Sequence, residues 1–233
     1  IKDLTIYKES FTKGLSQFYG NPKNICFLAL LPNYLEQGDS SLVYMMQNLI
    51  DQSEDPDSAF YLNNTNELHN TILKKEAEKK LCILIGVTYA LIDFSEKYPM
   101  QLKNTIVMET GGMKGRRKEL IREEVHAILS RGFGVNKIHS EYGMTELLSQ
   151  AYSKGDGVFE TPSWMRIKLR SINDPLSPTT KSNGAINVID LSNVFSCSFI
   201  ATQDIGRILP NNTFEVLGRT DNSDVRGCNL MIF

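Results

Sequence analysis

Four short stretches hold residue types suited to chemistry on a nucleotide. Ser140–Gln150, SEYGMTELLSQ, sets Tyr142, Gly143, Thr145 and Glu146 in quick succession. An aromatic face can lie on a base, a hydroxyl can bond a phosphate oxygen, and a carboxylate is a hard donor for a divalent cation. Downstream, Thr202-Gln203-Asp204-Ile205-Gly206 reads as an acid placed before a glycine turn. Gly218-Arg219-Thr220-Asp221 and Arg226-Gly227 follow. Each stretch has a plainer reading. The first could be a strand-to-helix turn with Thr145 as N-cap, an exposed Glu146 and a helical apolar run after it. An Asp-x-Gly segment is most often a hairpin. It is their order along one chain that singles them out.

The elements around these stretches are legible from periodicity. Leu4, Tyr7, Phe11, Leu15 and Phe18 recur at helical spacing up to Gly20-Asn21-Pro22. Continuous apolar runs at Ile25–Leu31 and Leu81–Val87, with a shorter one at Thr105–Glu109, read as buried parallel strands. Helices are expected over Leu42–Ile50 (capped by Asp39 or Ser40), Glu67–Lys80, Thr88–Lys97 and Arg116–Arg131, the last stopped by Gly132–Gly134. Ala59–Leu62 and Val135–Ser140 complete the strand set of the first part. Strands alternating with helices imply a mostly parallel, helix-covered sheet. In such a sheet the loops at the carboxyl ends of strands carry ligands, and Gly111-Gly112 and Tyr142–Glu146 occupy such loops. From about Phe159 the pattern changes to alternating strands punctuated by Pro162, Pro175, Pro178 and Gly184. The expected fold is therefore α/β over 1–157, followed by a β-rich, barrel-like part over 158–233.

Composition narrows the class. Of 233 residues, 41% are hydrophobic and 22% charged, as in ordinary globular proteins. A net charge of −2 without a basic stripe argues against nucleic acid as the partner. No apolar stretch is long enough to cross a bilayer as a helix. Cys26, Cys82, Cys197 and Cys228 form no CxxC pair. The first three sit in apolar runs and read as buried thiols, which suggests a reducing cytoplasm. His69, His126 and His139 lack metal-ligand spacing; His139, just before the tyrosine loop, is a candidate to line the site. The basic run Lys114–Lys118 reads as a solvated helix start that could steer an anionic ligand or a partner.

The series YGMTE, TQDIG, GRTD and VRG resembles the adenylate-forming superfamily of acyl-CoA synthetases, luciferases and peptide-synthetase adenylation domains. More closely, ETGGMKGRR, HSEYGMTELLSQAYS, DPLSP and NSDVRGCNLM resemble the acyl-protein synthetases, the long-chain-fatty-acid–luciferin-component ligases of bacterial bioluminescence. The likeness covers nearly the whole chain. It implies ATP and Mg²⁺ as cofactors, with a fatty carboxylate attacking the α-phosphate and expelling pyrophosphate. By resemblance, Glu146 ligates Mg²⁺ and Thr145 bonds the α-phosphate. Tyr142, next to Gly143, lies on the adenine. Gly111 and Gly112 let backbone approach the adenine, Asp204 and Arg219 hold the ribose, and Asp221 matches a hinge position.

Two departures qualify the likeness. The Ser/Thr/Gly-rich phosphate loop of the superfamily is missing, and Ile1 with its following residues reads like a continuation, so the chain is expected to begin within a longer protein. The superfamily's mobile C-terminal domain is missing too, as it is from acyl-protein synthetases. In those synthetases the acyl group passes to a Cys near the C-terminus and then to a partner reductase. The matching residue is Cys228, where the neighbouring Arg226 favours thiolate. The alternatives are an acyl-CoA ligase like the phenylacetate-CoA ligases, and a non-catalytic nucleotide-binding or assembly module.

Overall fold

The computed structural model describes residues 1–31, 40–111, 120–172, 174, 176–179 and 182–219. The chain opens with α1 (Leu4–Tyr19), whose first turn is capped by Asp3 accepting from the Thr5 amide and whose end is Gly20 at φ 88°. The chain then alternates: β1 (Cys26–Leu30), α2 (Ser41–Gln52), β2 (Ala59–Phe60), α3 (Thr65–Ala77), β3 (Cys82–Gly86), α4 (Thr88–Lys97), β4 (Thr105–Glu109), α5 (Arg122–Phe133) and β5 (His139–Tyr142). Ser40 is the cap of α2, its side chain accepting from the Val43 amide. Six strands follow: β6 (Ala151–Ser153), β7 (Val158–Glu160), β8 (Met165–Arg170), β9 (Asn183–Asp190), β10 (Phe199–Ile208) and β11 (Phe214–Arg219). Among the described residues no helix is long and apolar enough to cross a membrane.

All eleven strands among the described residues belong to one sheet, ordered β2-β1-β3-β4-β5-β6-β7-β11-β10-β9-β8. The pairings from β2 to β5 are parallel, and those from β5 onward are antiparallel. Every residue of β1 and β3 is buried, as expected for central strands covered on both faces. In β8 burial alternates strictly, the mark of a strand with one solvated face. The apolar core falls into two clusters. The larger lies around β1, β3, β4 and the helices; the smaller contains Leu147, Phe159, Met165, Ile186, Val188, Phe214 and Val216.

The antiparallel half is curled. Three strands separate β5 from β10 in the sheet order. At a strand spacing of about 4.8 Å a flat sheet would hold them roughly 19 Å apart. Yet Tyr142 on β5 donates to Asp204 on β10 at 2.7 Å. β10 bends to allow this, its register shifting against β9 between Ala201 and Ile205 and against β11 between Ile205 and Gly206. Gly206 permits the approach: a Cβ there would stand 2.7 Å from the Glu215 carbonyl oxygen.

Several expectations need correction. Leu147–Gln150 is not helical; the chain turns there and returns as β6, antiparallel to β5. The reason is a distant acid: Asp190, fully buried, accepts from the Leu148 and Ser149 amides at 2.8 and 3.0 Å. Thr202–Gly206 lies within β10 and is not a turn. Leu120 and Ile121 precede α5, which begins at Arg122. Gly132 is inside α5, where a Cβ would press on Ser95 Cβ at 2.7 Å; Gly134, at φ 63°, ends the helix. Cys26 and Cys82 are buried, but Cys197 is exposed.

Candidate active site

A cleft of about 530 Å³ opens at the carboxyl ends of β4 and β5, where the parallel half of the sheet meets the curled antiparallel half. Its lining comes from three directions. β4 contributes Glu109 and Thr110, β5 and its following turn contribute Glu141–Glu146, and β10 and β11 contribute Ile200–Asp204, Val216 and Arg219. Arg122 and Phe159 complete it. Tyr142, Gly143, Thr145, Glu146, Asp204 and Arg219, separated by up to 77 positions in the chain, thus line one space.

Asp204 is the node of the β10 side of the cleft. Its Oδ2 accepts from the Tyr142 hydroxyl at 2.7 Å, and its Oδ1 lies 3.2 Å from Arg219 Nε. Burial raises its carboxyl above the usual range, while the Tyr142 hydroxyl and Arg219 oppose that rise. The Asp204 amide donates to Thr202 Oγ1, which itself donates to the Ile186 carbonyl. Arg170 Nη2 donates to the Thr202 carbonyl at 2.7 Å, so β9, β10 and β8 all fix this segment. Each carboxylate oxygen keeps a further lone pair for a ligand hydroxyl. The Tyr142 ring meets Phe159 and Phe214 edge-on, at centroid distances of 6.0 and 5.7 Å.

Thr145 and Glu146 are exposed in the turn after β5. The Leu147 amide donates to the Met144 carbonyl, and Asn193 Nδ2 donates to the Glu146 carbonyl at 2.8 Å. Asp190 holds the end of the turn through both amides and through the Ser149 hydroxyl, which donates at 2.6 Å. Trp164 Nε1 donates to Ser149 Oγ at 2.9 Å. The loop is therefore rigid at its base and open at its tip. Among the described residues no group of three His, Cys, Asp or Glu could hold a metal ion. An exposed carboxylate at the edge of a cleft nonetheless suits Mg²⁺, which keeps its waters and takes one or two carboxylates plus substrate phosphates. Glu146 fits that role.

On the far side of the cleft stands Glu109, which the sequence reading passed over. Its Oε2 accepts from the Gly111 amide at 2.6 Å and from Thr88 Oγ1 at 3.3 Å. His126 Nε2 stands 3.8 Å from Oε1. Burial works to raise the Glu109 carboxyl, but His126, Arg122 and Ser140 outweigh it and hold it down at about 2. Gly111, at φ 77°, takes a conformation that favours glycine. It is buried beside Thr110, which lines the cleft. Arg122 reaches across to donate to the Val216 carbonyl and lies 5.4 Å from the Phe159 ring centre. Glu141 was missed as well; burial first and Glu109 second push its carboxyl up to about 8. An acid at the last residue of β4 and another beside Tyr142 were the available signals.

His139 does not line the cleft. Its Nδ1 is 3.1 Å from the Tyr19 hydroxyl, and burial lowers its ring to about 4. His69 stacks on Tyr98. Gly112, the run Lys114–Lys118, Asp221, Arg226, Gly227 and Cys228 lie outside the described residues.

The sequence matches no protein-family model and no curated protein. Solved structures do match the fold. ATP-bound MatB from Rhodopseudomonas palustris aligns with a TM-score of 0.65 at 15% identity, over 92% of this chain and 44% of that one. O-succinylbenzoate coenzyme A synthetase (MenE) from Bacillus subtilis, in complex with AMP, aligns at 0.61 and 14%, over 92% and 44%. Coronafacic acid ligase from Pectobacterium brasiliense aligns at 0.58 and 16%, over 93% and 42%. The chain thus spans less than half the length of each of these solved chains, and over that span it shares their mixed α/β fold.

Proposed function

We propose that this chain is the adenine, ribose and metal side of an ATP-dependent acid-activating site in an acyl-protein synthetase. The observation that carries the reading is the meeting of Tyr142, Asp204 and Arg219 beside the open Thr145–Glu146 turn, in a cleft at strand carboxyl ends. The solved structures with ATP and with AMP support it through the shared fold.

In this reading Tyr142 covers the adenine, with Gly143 and the Gly111-Gly112 backbone near it, and Asp204 accepts from ribose hydroxyls with Arg219 beside them. Thr145 donates to the α-phosphate. Glu146 holds Mg²⁺, which when bound offsets phosphate charge. A fatty carboxylate oxygen attacks the α-phosphorus, the P–O bond to pyrophosphate breaks, and acyl-AMP forms. The Cys228 thiolate then attacks the acyl carbonyl, AMP departs, and the thioester passes to a partner reductase. Residues 1–157 and 158–233 divide the labour, the second part supplying the ribose residues and the acceptor thiol. The match to MenE favours a second reading, with coenzyme A as the acceptor.

The test uses the full-length protein with ATP, Mg²⁺ and a saturated fatty-acid series. Acid-dependent pyrophosphate release and a hydroxylamine-labile acyl label that Cys228→Ser abolishes are the results expected. No pyrophosphate release removes the reading; a label surviving in Cys228→Ser removes the acceptor, and dependence on coenzyme A installs the second reading.

A further inference from the structure

We propose that Glu141 receives the acid substrate, its carboxyl group carrying the proton and donating a hydrogen bond to the substrate's carboxylate. This inference rests on the acid-activating reading given above and names the residue on which that acid lands.

Strand geometry separates Glu141 from the nucleotide residues. Successive side chains of a strand point to opposite faces. Tyr142 turns towards Phe159, Phe214 and Asp204. Glu141 therefore takes the other face, opposite Tyr152 of β6 in the antiparallel register. Tyr152 packs on Phe18 and Tyr19 of α1. Both residues nonetheless line the cleft, because β5 ends there. The cleft thus has a nucleotide wall and, around the strand end, a second wall topped by an acid.

Glu109 and Asp204 both have hydrogen-bond partners, whereas the Glu141 carboxyl makes no hydrogen bond among the described residues. The backbone makes room for it. A Cβ on Gly143 would stand 2.5 Å from Glu141 Oε1 and 3.4 Å from Gln150 Cγ, so only glycine lets the carboxyl sit where it does. Two neighbours are also short of partners. Gln150, 5% exposed, has a buried amide oxygen without a hydrogen bond, and Tyr152, 1% exposed, has a buried hydroxyl without one. Buried polar groups of this kind are normally satisfied. Of the three, Glu141 lines the cleft, with Gln150 close to Gly143 and Tyr152 across the strands from it, so its carboxyl is the group a polar ligand in the cleft would meet.

The charges facing Glu141 fix the sign of that ligand. Tyr7 of α1 and Tyr152 of β6 are neutral at pH 7, burial raising both hydroxyls. Glu109 of β4 is anionic and is compensated from α5 by Arg122 and His126. With an anion next to it and little water, Glu141 keeps its proton up to about pH 8. The two acids of one cleft are thereby driven into opposite protonation states, the pattern that assigns different roles to paired carboxyls. A protonated carboxyl is a strong donor to a carboxylate oxygen, and an ionised one would repel it. Glu141 is thus suited to the anion that an acid-activating site must admit.

The experiment measures acid-dependent pyrophosphate release by the full-length protein, with dodecanoate and hexadecanoate as probes, between pH 6 and 10. In the wild type, KM for the acid should rise about tenfold per pH unit above the Glu141 titration, while KM for ATP stays level. Glu141→Ala should raise the acid KM at pH 7 by at least about tenfold. Glu141→Gln keeps a neutral donor, so its acid KM should lie below that of the Ala variant and lose the alkaline rise. The proposal falls if the Gln variant keeps the alkaline rise, or if the Ala effect lands on the ATP KM. It also falls if the wild type prefers acids bearing an ammonium group and the Gln variant loses that preference. Absence of pyrophosphate release from the wild type with every acid removes the underlying functional reading, and this one with it.

Discussion

Glu109 carries a negative charge in the interior because Thr88 of α4 and the Gly111 amide after β4 donate to it, while His126 and Arg122 of α5 stand close by. Its carboxyl is held at about 2, against 4.5 for a free side chain. The folded state therefore binds the proton less readily than the unfolded chain. The stability this confers is complete above pH 4.5 and is lost as pH falls through 4.5 towards 2. Glu109→Gln should flatten that acid limb in thermal unfolding followed across pH. It should also relieve the repulsion on Glu141 and shift the alkaline rise in acid KM to lower pH. If the limb is unchanged, the anionic assignment of Glu109 is wrong. Tyr142 gives a second residue-scale outcome. Tyr142→Phe keeps the aromatic face and removes one hydrogen bond to a charged acceptor, so it should lower stability by about 1–2 kcal/mol in chemical denaturation and raise the ATP KM. Tyr142, Asp204 and Arg219 could be singled out as candidates from their residue types, and the structure brings them into one cleft. Glu109 and Glu141 could not be singled out so, because their importance lies in depth and protonation, which a one-dimensional pattern does not carry.

The turn from Gly143 to Gln150 shows where local pattern gives way to a distant partner. Leu147 and Leu148 after Thr145-Glu146 look like the opening of a helix, yet the Leu148 and Ser149 amides go to Asp190, more than forty residues away. A fully buried carboxylate accepting two amides and a hydroxyl outweighs the few tenths of a kcal/mol per residue that separate helix propensities. Asp190→Ala would leave those amides unsatisfied and should destabilise the protein by about 3 kcal/mol, with Asp190→Asn intermediate, in equilibrium denaturation. Because Asn193 holds the Glu146 carbonyl from the same segment, the Ala variant should also weaken Mg²⁺-dependent ATP binding in the full-length protein. An unchanged stability would mean that the turn is held elsewhere. Glycine readings divide in the same way. Gly134 ends α5 by its positive φ, a local property, while Gly132 exists for contact with Ser95, which only the packing of α4 on α5 reveals.

For the molecule as a whole, alternation and periodicity disclosed the parallel strands and the helices between them but not β6 or β7, and the antiparallel strands begin at β6, ahead of the change of texture near residue 158. They did not disclose that one sheet runs through both parts, nor that it curls until β10 faces β5. Curling depends on bulges and on contact between strands remote in sequence, and a period of two residues is blind to both. The site depends on that curl: without it Asp204 would be a sheet's width from Tyr142. Gly206 is where this dependence can be measured. Its Cβ would meet the Glu215 carbonyl oxygen at 2.7 Å and Ile186 Cδ1 at 2.6 Å. The isoleucine tip can rotate, but the carbonyl belongs to the backbone of β11, so β10 and β11 must separate. Gly206→Ala should lower stability by about 1–3 kcal/mol, the usual range for overpacking. Val107→Ala, a cavity in the buried β4, serves as a partner of similar destabilisation far from the curl. If the curl sets the Tyr142–Asp204 distance, Gly206→Ala weakens ATP binding in the full-length protein at least about fivefold more than Val107→Ala does at matched stability. Equal effects from the two variants would mean that the Tyr142–Asp204 wall is held by its own hydrogen bonds and is indifferent to the shape of the sheet beneath it.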